Sequence, residues 1–199
     1  TSHVAPVLLG APTVLCARFT AEDAIRAIER HRVSVLAAVS TQFVMMLNSP
    51  ELARRDLSSL RVLFTGGEAV PASRAEEFEQ RTGAKLLQFY GSNETGALSC
   101  TTTRDSQEVR LTPAGHLIPE MHVGLFDEEG RDVTASGRGI PACRGPVTSR
   151  GYYEDPEATA HAMRDGWFHT GDAAVVHPDG YAEIRDRIKD VIISGGENI

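Results

Sequence analysis

Two glycine-bearing loops carry the polar groups best able to do chemistry, TGGEAVP at residues 65–71 and YGSNETG at residues 90–96. Gly66, Gly67 and Gly91 let the backbone come close to a ligand, because glycine adds no side chain and reaches left-handed conformations freely. Ser92, Asn93, Glu94 and Thr95 then offer hydroxyls, an amide and a carboxylate. Such a set suits phosphate oxygens and a magnesium ion, whose preferred ligands are oxygen atoms. A third stretch, GWFHTGD at 166–172, sets Asp172 at a turn after an aromatic pair. A carboxylate so placed can accept two hydrogen bonds from a ribose diol. Arg187 and Lys189 in DRIKD could meet phosphates or a carboxylate. Taken singly, each feature has a plainer reading: tight turns with solvated polar residues, a capping Asp172 beside core aromatics, and a charge run balanced by Asp186 and Asp190.

The elements that must position these residues follow from local pattern. Thr20 with Glu22 and Asp23 makes a helix start, since a hydroxyl cap and early carboxylates satisfy free amide hydrogens and the positive helix end. AEDAIRAIERH then places Ala24, Ile25 and Ile28 on one face. VSVLAAV at 33–39 reads as a buried strand, QFVMMLN as a short helix before Pro50, LRVLFT as a strand, PASRAEEFEQRT as a helix with Gly83 past its end, and KLLQFY as a strand. The order β, α, β, α, β calls for an α/β fold: a parallel sheet with flanking helices. Both loops then follow the carboxyl ends of predicted strands, where open α/β sheets bind ligands. From about residue 108 the long helical period is lost. HVGLFD, AAVVH and YAEIRD alternate with the turns DEEG, SGRG and HPDG, which predicts a small antiparallel β subdomain.

Composition narrows the partners. The 199 residues are 41% hydrophobic, enough for a real core, and carry a formal net charge of −7. That charge speaks against nucleic acid or an anionic membrane, both of which call for a basic surface. Cys16, Cys100 and Cys143 lie far apart with no C-x-x-C pair, which fits a reducing compartment, the cytoplasm, and neither a disulfide frame nor zinc. VAPVLLGAPTVLCA is the longest apolar run. Pro6, Gly10 and Pro12 interrupt it, and it falls short of the roughly 20 residues of a membrane helix. Its expected home is a buried strand.

In this order, RVLFTGGEAVP, QFYGSNETG, RGPVTSRGYYEDPEATAHAMRDGWFHTGD and DGYAEIRDRIKDVIISGGENI resemble the successive signatures of the adenylate-forming superfamily, across nearly the whole chain. That superfamily includes acyl-CoA synthetases, firefly luciferase and nonribosomal adenylation domains. The wording PEATA, GWFHTGD and IISGGENI looks most like an acyl-CoA synthetase. The resemblance implies a two-step reaction using ATP, Mg2+ and CoA: a small-molecule carboxylate attacks the α-phosphate to give acyl-AMP and pyrophosphate, and the CoA thiol then displaces AMP. It implies that Gly66, Gly67 and Glu68 border the adenine and Tyr90 stacks on it. Gly91, Ser92, Asn93 and Thr95 would lie along the phosphates, with Glu94 holding magnesium. Asp172 would clasp the ribose and Arg187 reach ribose or phosphate. Lys189 would be the domain hinge, Gly195 and Gly196 would line the pantetheine passage, and Val39, Ser40, Phe43, Phe89 and Gly91 would form the acyl-pocket wall. For Phe43 and Phe89, plain core is the competing reading.

Departures from the pattern are Asn93 where the loop usually has threonine, Ser40 where proline is usual, and SGRGIPACRGP without the usual Gly-Glu. The resemblance further implies three parts: 1–107, an α/β nucleotide- and acyl-binding subdomain; 108–188, a β-rich subdomain; and 189–199, the hinge and the start of a C-terminal domain. A phosphate loop with its lysine is expected before Thr1 and a catalytic lysine after Ile199, so the chain reads as the middle of a longer enzyme, inactive alone. Two rival readings are an adenylation domain that loads a carrier protein and a non-catalytic nucleotide-binding truncation.

Overall fold

The computed structural model describes residues 4–68, 70–111, 114–187, 193–194 and 197–198. The chain divides into two compact units, Thr1–Leu86 and Leu87–Ile199. The change of sequence texture near residue 108 falls inside the second.

The first unit holds helix α1 (Val4–Leu8), α2 (Ala21–His31), strand β1 (Val35–Ala37), α3 (Ser40–Asn48), β2 (Val62–Gly66), α4 (Ala72–Thr82) and the start of β3 (Lys85–Ser92). Helix α2 begins as its sequence dictates, with the Thr20 side chain accepting the Asp23 N–H, and its buried face is Ala21, Ala24, Ile25 and Ile28. Helix α4 stops at Gly83, whose left-handed φ of 73° lets its N–H turn back to the Glu79 carbonyl. Strands β1 and β2 pair in parallel, Leu36 opposite Leu63. The core between helices and strands is made by Ile25, Ile28, Phe43, Met46, Leu63, Phe78 and Leu86, all at most 2% exposed.

Two expectations fail here. The apolar run 4–17 is not a buried strand: Val4–Leu8 is helical, and Val7, Leu8, Leu9 and Leu15 are 77–81% exposed. Its two prolines and Gly10 remove the amide donors and order a strand needs. VSVLAAV yields a strand of only three residues, with Val35 54% exposed. It stands at the end of the strand order, so one edge finds no partner strand among the described residues.

The second unit is mostly antiparallel. It contains the end of β3, β4 (Gly96–Cys100), α5 (Gln107–Leu111), β5 (Ala114–Leu117), β6 (His122–Phe126), β7 (Arg138–Arg144), α6 (Pro156–Ala162), β8 (Met163–Arg164), β9 (Trp167–His169), β10 (Asp172–Val176), β11 (Tyr181–Arg187), β12 (Ile193–Ser194) and β13 (Glu197–Asn198). Within it the strands run β3-β4-β5-β11-β10-β7-β9-β8, with β6 also on β7 and β12 paired to β13. Leu98, Met121, Cys143 and Phe168 form its core, with Tyr90 packed against them. Turns DEEG, SGRG and HPDG form as read, with Gly130, Gly137 and Gly180 at positive φ. Here too the sequence expectation needs correcting: YGSNETG is not a loop from Tyr90 onward. Strand β3 continues through Ser92 and folds straight back as β4, Ser92 opposite Gly96, so only Asn93, Glu94 and Thr95 turn.

Candidate functional site

In the first unit, Gly66 closes β2 and Gly67 adopts a φ of +92°, which an L side chain rarely tolerates. This bend returns Glu68 to the start of α3. The residue before that helix is Val39, which has no side-chain acceptor to cap it. Glu68 serves instead: Oε1 accepts the Ser40 N–H at 3.1 Å and also a short bond from the Ser40 hydroxyl. A carboxylate at the positive end of a helix is favourably placed. Gln42 Oε1 takes the Val39 N–H at 3.1 Å. Ser40 is therefore buried with both donors used. Phe43 is fully buried, edge-on to Phe78 at 5.6 Å, and is a core residue in this unit.

In the second unit the β3–β4 hairpin is tied by its own hydroxyls. Ser92 Oγ accepts the N–H groups of Glu94 at 3.2 Å and Thr95 at 3.3 Å. Thr95 is 1% exposed; its hydroxyl accepts the Ser92 N–H at 2.9 Å and donates to the Gly96 carbonyl at 2.8 Å. Both polar side chains thus hold the turn, while Asn93 is exposed at its tip and Glu94 half-buried. Gly91 is required sterically, since a Cβ there would overlap the Gly96 carbonyl oxygen. Phe89 is half-buried.

Tyr90 and Asp172, 82 residues apart, meet directly: the phenol donates a short hydrogen bond to Asp172 Oδ2. Asp172 is 5% exposed, and its N–H donates to Thr170 Oγ1 at 3.2 Å. Thr170 is itself fixed by donating to the Pro141 carbonyl at 2.9 Å. The last residue of β11, Arg187, lies opposite Asp172 in the strand pairing. Tyr90, Asp172 and the backbone of Arg187 are therefore brought together, as are Ser92, Asn93, Glu94 and Thr95. Lys189, Gly195 and Gly196 lie outside the described residues.

Two residues with a part in this arrangement escaped sequence reading. Thr170 precedes Asp172 by two positions, the spacing of a hydroxyl that supports a local turn. Tyr152 has no local signal; its hydroxyl donates to Glu94 Oε1 at 3.3 Å from far along the chain. Partial shielding of its hydroxyl from water, then the negative charge of Glu94, pushes the Tyr152 phenol up, so it stays a protonated donor. Among the described residues no three His, Cys, Asp or Glu side chains converge as a metal cage. None of the described helices is long and apolar enough to cross a membrane.

The AMP-binding enzyme family matches residues 1–153. This chain belongs to that family. Feruloyl-CoA synthase of Amycolatopsis sp is 38% identical over 197 residues, 98% of this chain and 40% of that protein. A medium/long-chain-fatty-acid–CoA ligase of Mycobacterium tuberculosis is 34% identical over 97% of this chain and 34% of its own length. Among solved structures, the amide bond synthetase McbA from Marinactinospora thermotolerans superposes with a TM-score of 0.86 at 33% identity, covering 95% of this chain and 38% of that one. The chain thus spans roughly 40% or less of the length of the curated relatives it matches. Its mixed α/β architecture is that of adenylate-forming enzymes.

Proposed function

We propose that this chain forms part of an ATP-dependent acid–thiol ligase acting on a hydrophobic or aromatic carboxylate. The observation that carries the reading is the Tyr90–Asp172 hydrogen bond beside the YGSNETG hairpin, an aromatic and a fixed carboxylate joined where a nucleoside would be held. In the first step a carboxylate oxygen bonds to the α-phosphorus of ATP and the bond to pyrophosphate breaks. In the second the CoA sulfur bonds to the acyl carbon, AMP leaves, and the thiol proton is lost.

Tyr90 presents its ring to the adenine, as suits an aromatic platform, and its hydroxyl holds Asp172 toward the ribose diol. Thr95 and Ser92 keep the turn rigid so that Asn93 and Glu94 meet the phosphates. Asn93 supplies an amide donor where the family usually has a hydroxyl. Glu94 fits a magnesium ion, which takes one or two protein carboxylates and completes its shell with water and phosphate oxygens. When bound, that ion draws charge from the phosphates. Family resemblance assigns Arg187 to the ribose or the phosphates. Family resemblance extends the proposal to Gly66, Gly67 and Glu68 beside the base, Val39, Ser40, Phe89 and Gly91 toward the acyl group, Lys189 as hinge, and Gly195 and Gly196 on the CoA passage. All three cysteines are free, consistent with a cytoplasmic enzyme. Likeness to an amide bond synthetase supports one further reading, an amine as acyl acceptor in the second step.

The test is Asp172→Asn in the whole enzyme. Weakening a charge-assisted bond pair should lower AMP affinity about 10- to 100-fold by calorimetric titration. Unchanged AMP affinity would remove the nucleotide assignment.

A further inference from the structure

The run RGPVTSRGYYEDPEAT touches the YGSNETG hairpin at three points. Val147 lies over Gly96, where an added Cβ would come within 2.6 Å of Val147 Cγ2. The Ser149 N–H donates to the Glu94 carbonyl at 2.6 Å. The Tyr152 hydroxyl reaches the Glu94 carboxylate at 3.3 Å. One residue is thus held at both its backbone and its side chain by the same segment.

That segment is itself anchored. Ser149 Oγ accepts the Gly151 N–H at 3.2 Å and donates to the Gly151 carbonyl at 2.9 Å, closing a tight bend. Gly151 has a φ of +140° and packs so near Thr159 that a Cβ would lie 2.6 Å from its Cγ2. The Tyr152 N–H donates to Thr159 Oγ1 at 2.8 Å, and that hydroxyl donates to the Asp155 carbonyl at 2.7 Å. Asp155 in turn caps α6, its Oδ1 accepting the Ala158 N–H at 2.9 Å. Tyr152 is 40% exposed, so the ring is not held by burial. Its place is set by this chain of bonds to α6, and the bond its hydroxyl makes is the one to Glu94.

We infer that Tyr152 is a positioning residue for Glu94, and that the strap 145–152 sets the rotamer in which this carboxylate meets the metal-bound phosphates. The inference rests on the reading of Glu94 as the magnesium-side carboxylate. A free glutamate samples several rotamers, and a neutral phenol donating to one oxygen selects among them while leaving the other oxygen and the negative charge available. The ionised carboxylate can only accept, so the direction of the bond is fixed. Tyr152 neither touches substrate nor moves a proton.

The experiment compares Tyr152→Phe, Glu94→Gln and the double variant in the whole enzyme, by calorimetric titration without the acid substrate. MgATP is one titrant, and AMP in the presence of a chelator is the other. Loss of one partly exposed hydrogen bond should weaken MgATP binding about 3- to 10-fold in Tyr152→Phe. AMP binding should be unchanged, because no metal takes part. In the double variant MgATP should bind no more weakly than in Glu94→Gln alone, since the phenol acts through that carboxylate. The inference falls if Tyr152→Phe weakens AMP and MgATP alike, which marks a merely structural strap, or if the two losses add. It also falls alone if Glu94→Gln weakens MgATP and Tyr152→Phe does not. If Glu94→Gln leaves MgATP binding unchanged, the magnesium reading of Glu94 is wrong and this inference goes with it.

Discussion

His169 in β9 lies three positions before Asp172 and faces Phe126 edge-on, ring centroids 5.0 Å apart. Burial, then the positive charge of Arg164, holds its imidazole below the ordinary value of 6.5. The folded protein therefore favours neutral His169, and between the lowered value and about 6.5 the unfolded chain binds more protons. Stability from this group is full above pH 6.5 and is lost as pH falls through that window. Urea midpoints measured from pH 7.5 down to 5 should fall, with a shallower fall in His169→Gln; equal slopes would contradict the assignment. At this scale the sequence exposes residue types but not their attachments. Tyr90 and Asp172 were both legible as candidates, yet 82 residues separate them and nothing local says that they bond. Thr95 misleads in another way. A polar residue in a glycine-rich loop suggests solvent or ligand contact, but its hydroxyl is satisfied by Ser92 and Gly96, so its burial leaves no polar group unpaired.

Elements whose signals are local came through intact. Helix α2 has its cap, early acids and apolar face within eleven residues, and α4 ends at the glycine that lets it end. Strands β4, β5, β7 and β9 were not legible, because their pairing partners lie far along the chain and short apolar runs have no period to count. Pro141 hides β7 further, since a proline argues against an interior strand. Here the missing N–H is tolerated and its carbonyl accepts both the Thr170 N–H and hydroxyl. The β3–β4 hairpin makes a sharp prediction. Gly91→Ala puts a carbon into the Gly96 carbonyl, which is backbone and cannot rotate aside. Overpacking of this kind costs about 1–3 kcal/mol, and chemical denaturation should read that loss. A change within ordinary surface noise, about 0.5 kcal/mol, would mean that the strands separate freely there.

For the molecule as a whole, exposed apolar surface gathers near the amino end, where Val7, Leu8, Leu9 and Leu15 are each more than three-quarters exposed. Exposed apolar side chains in such number promote association, although the net charge of −7 works against it. Light scattering of the purified 199-residue chain should show concentration-dependent self-association, reduced in Leu8→Ser/Leu9→Ser; the same association in both would place the sticky surface elsewhere. Strand pairing has a further consequence, for how this chain is compared with its relatives. Leu98 of β4 is an extra residue between the partners of Tyr90 and Gly91, and Arg185 of β11 is one between the partners of Ala173 and Ala174. Because side chains alternate between the faces of a sheet and a bulge sets two residues against one, each extra residue breaks the alternation on β4 or β11 while β3 and β10 keep theirs. An alignment that slides a one-residue gap past Leu98 or Arg185 would swap the faces of β4 or β11 and put Ser99 and Arg187, the partners of Tyr90 and Asp172, out of register. The exposed residues Glu128–Gly130 can absorb a gap of odd length, but beside Leu98 and Arg185 only an even number of residues keeps like with like.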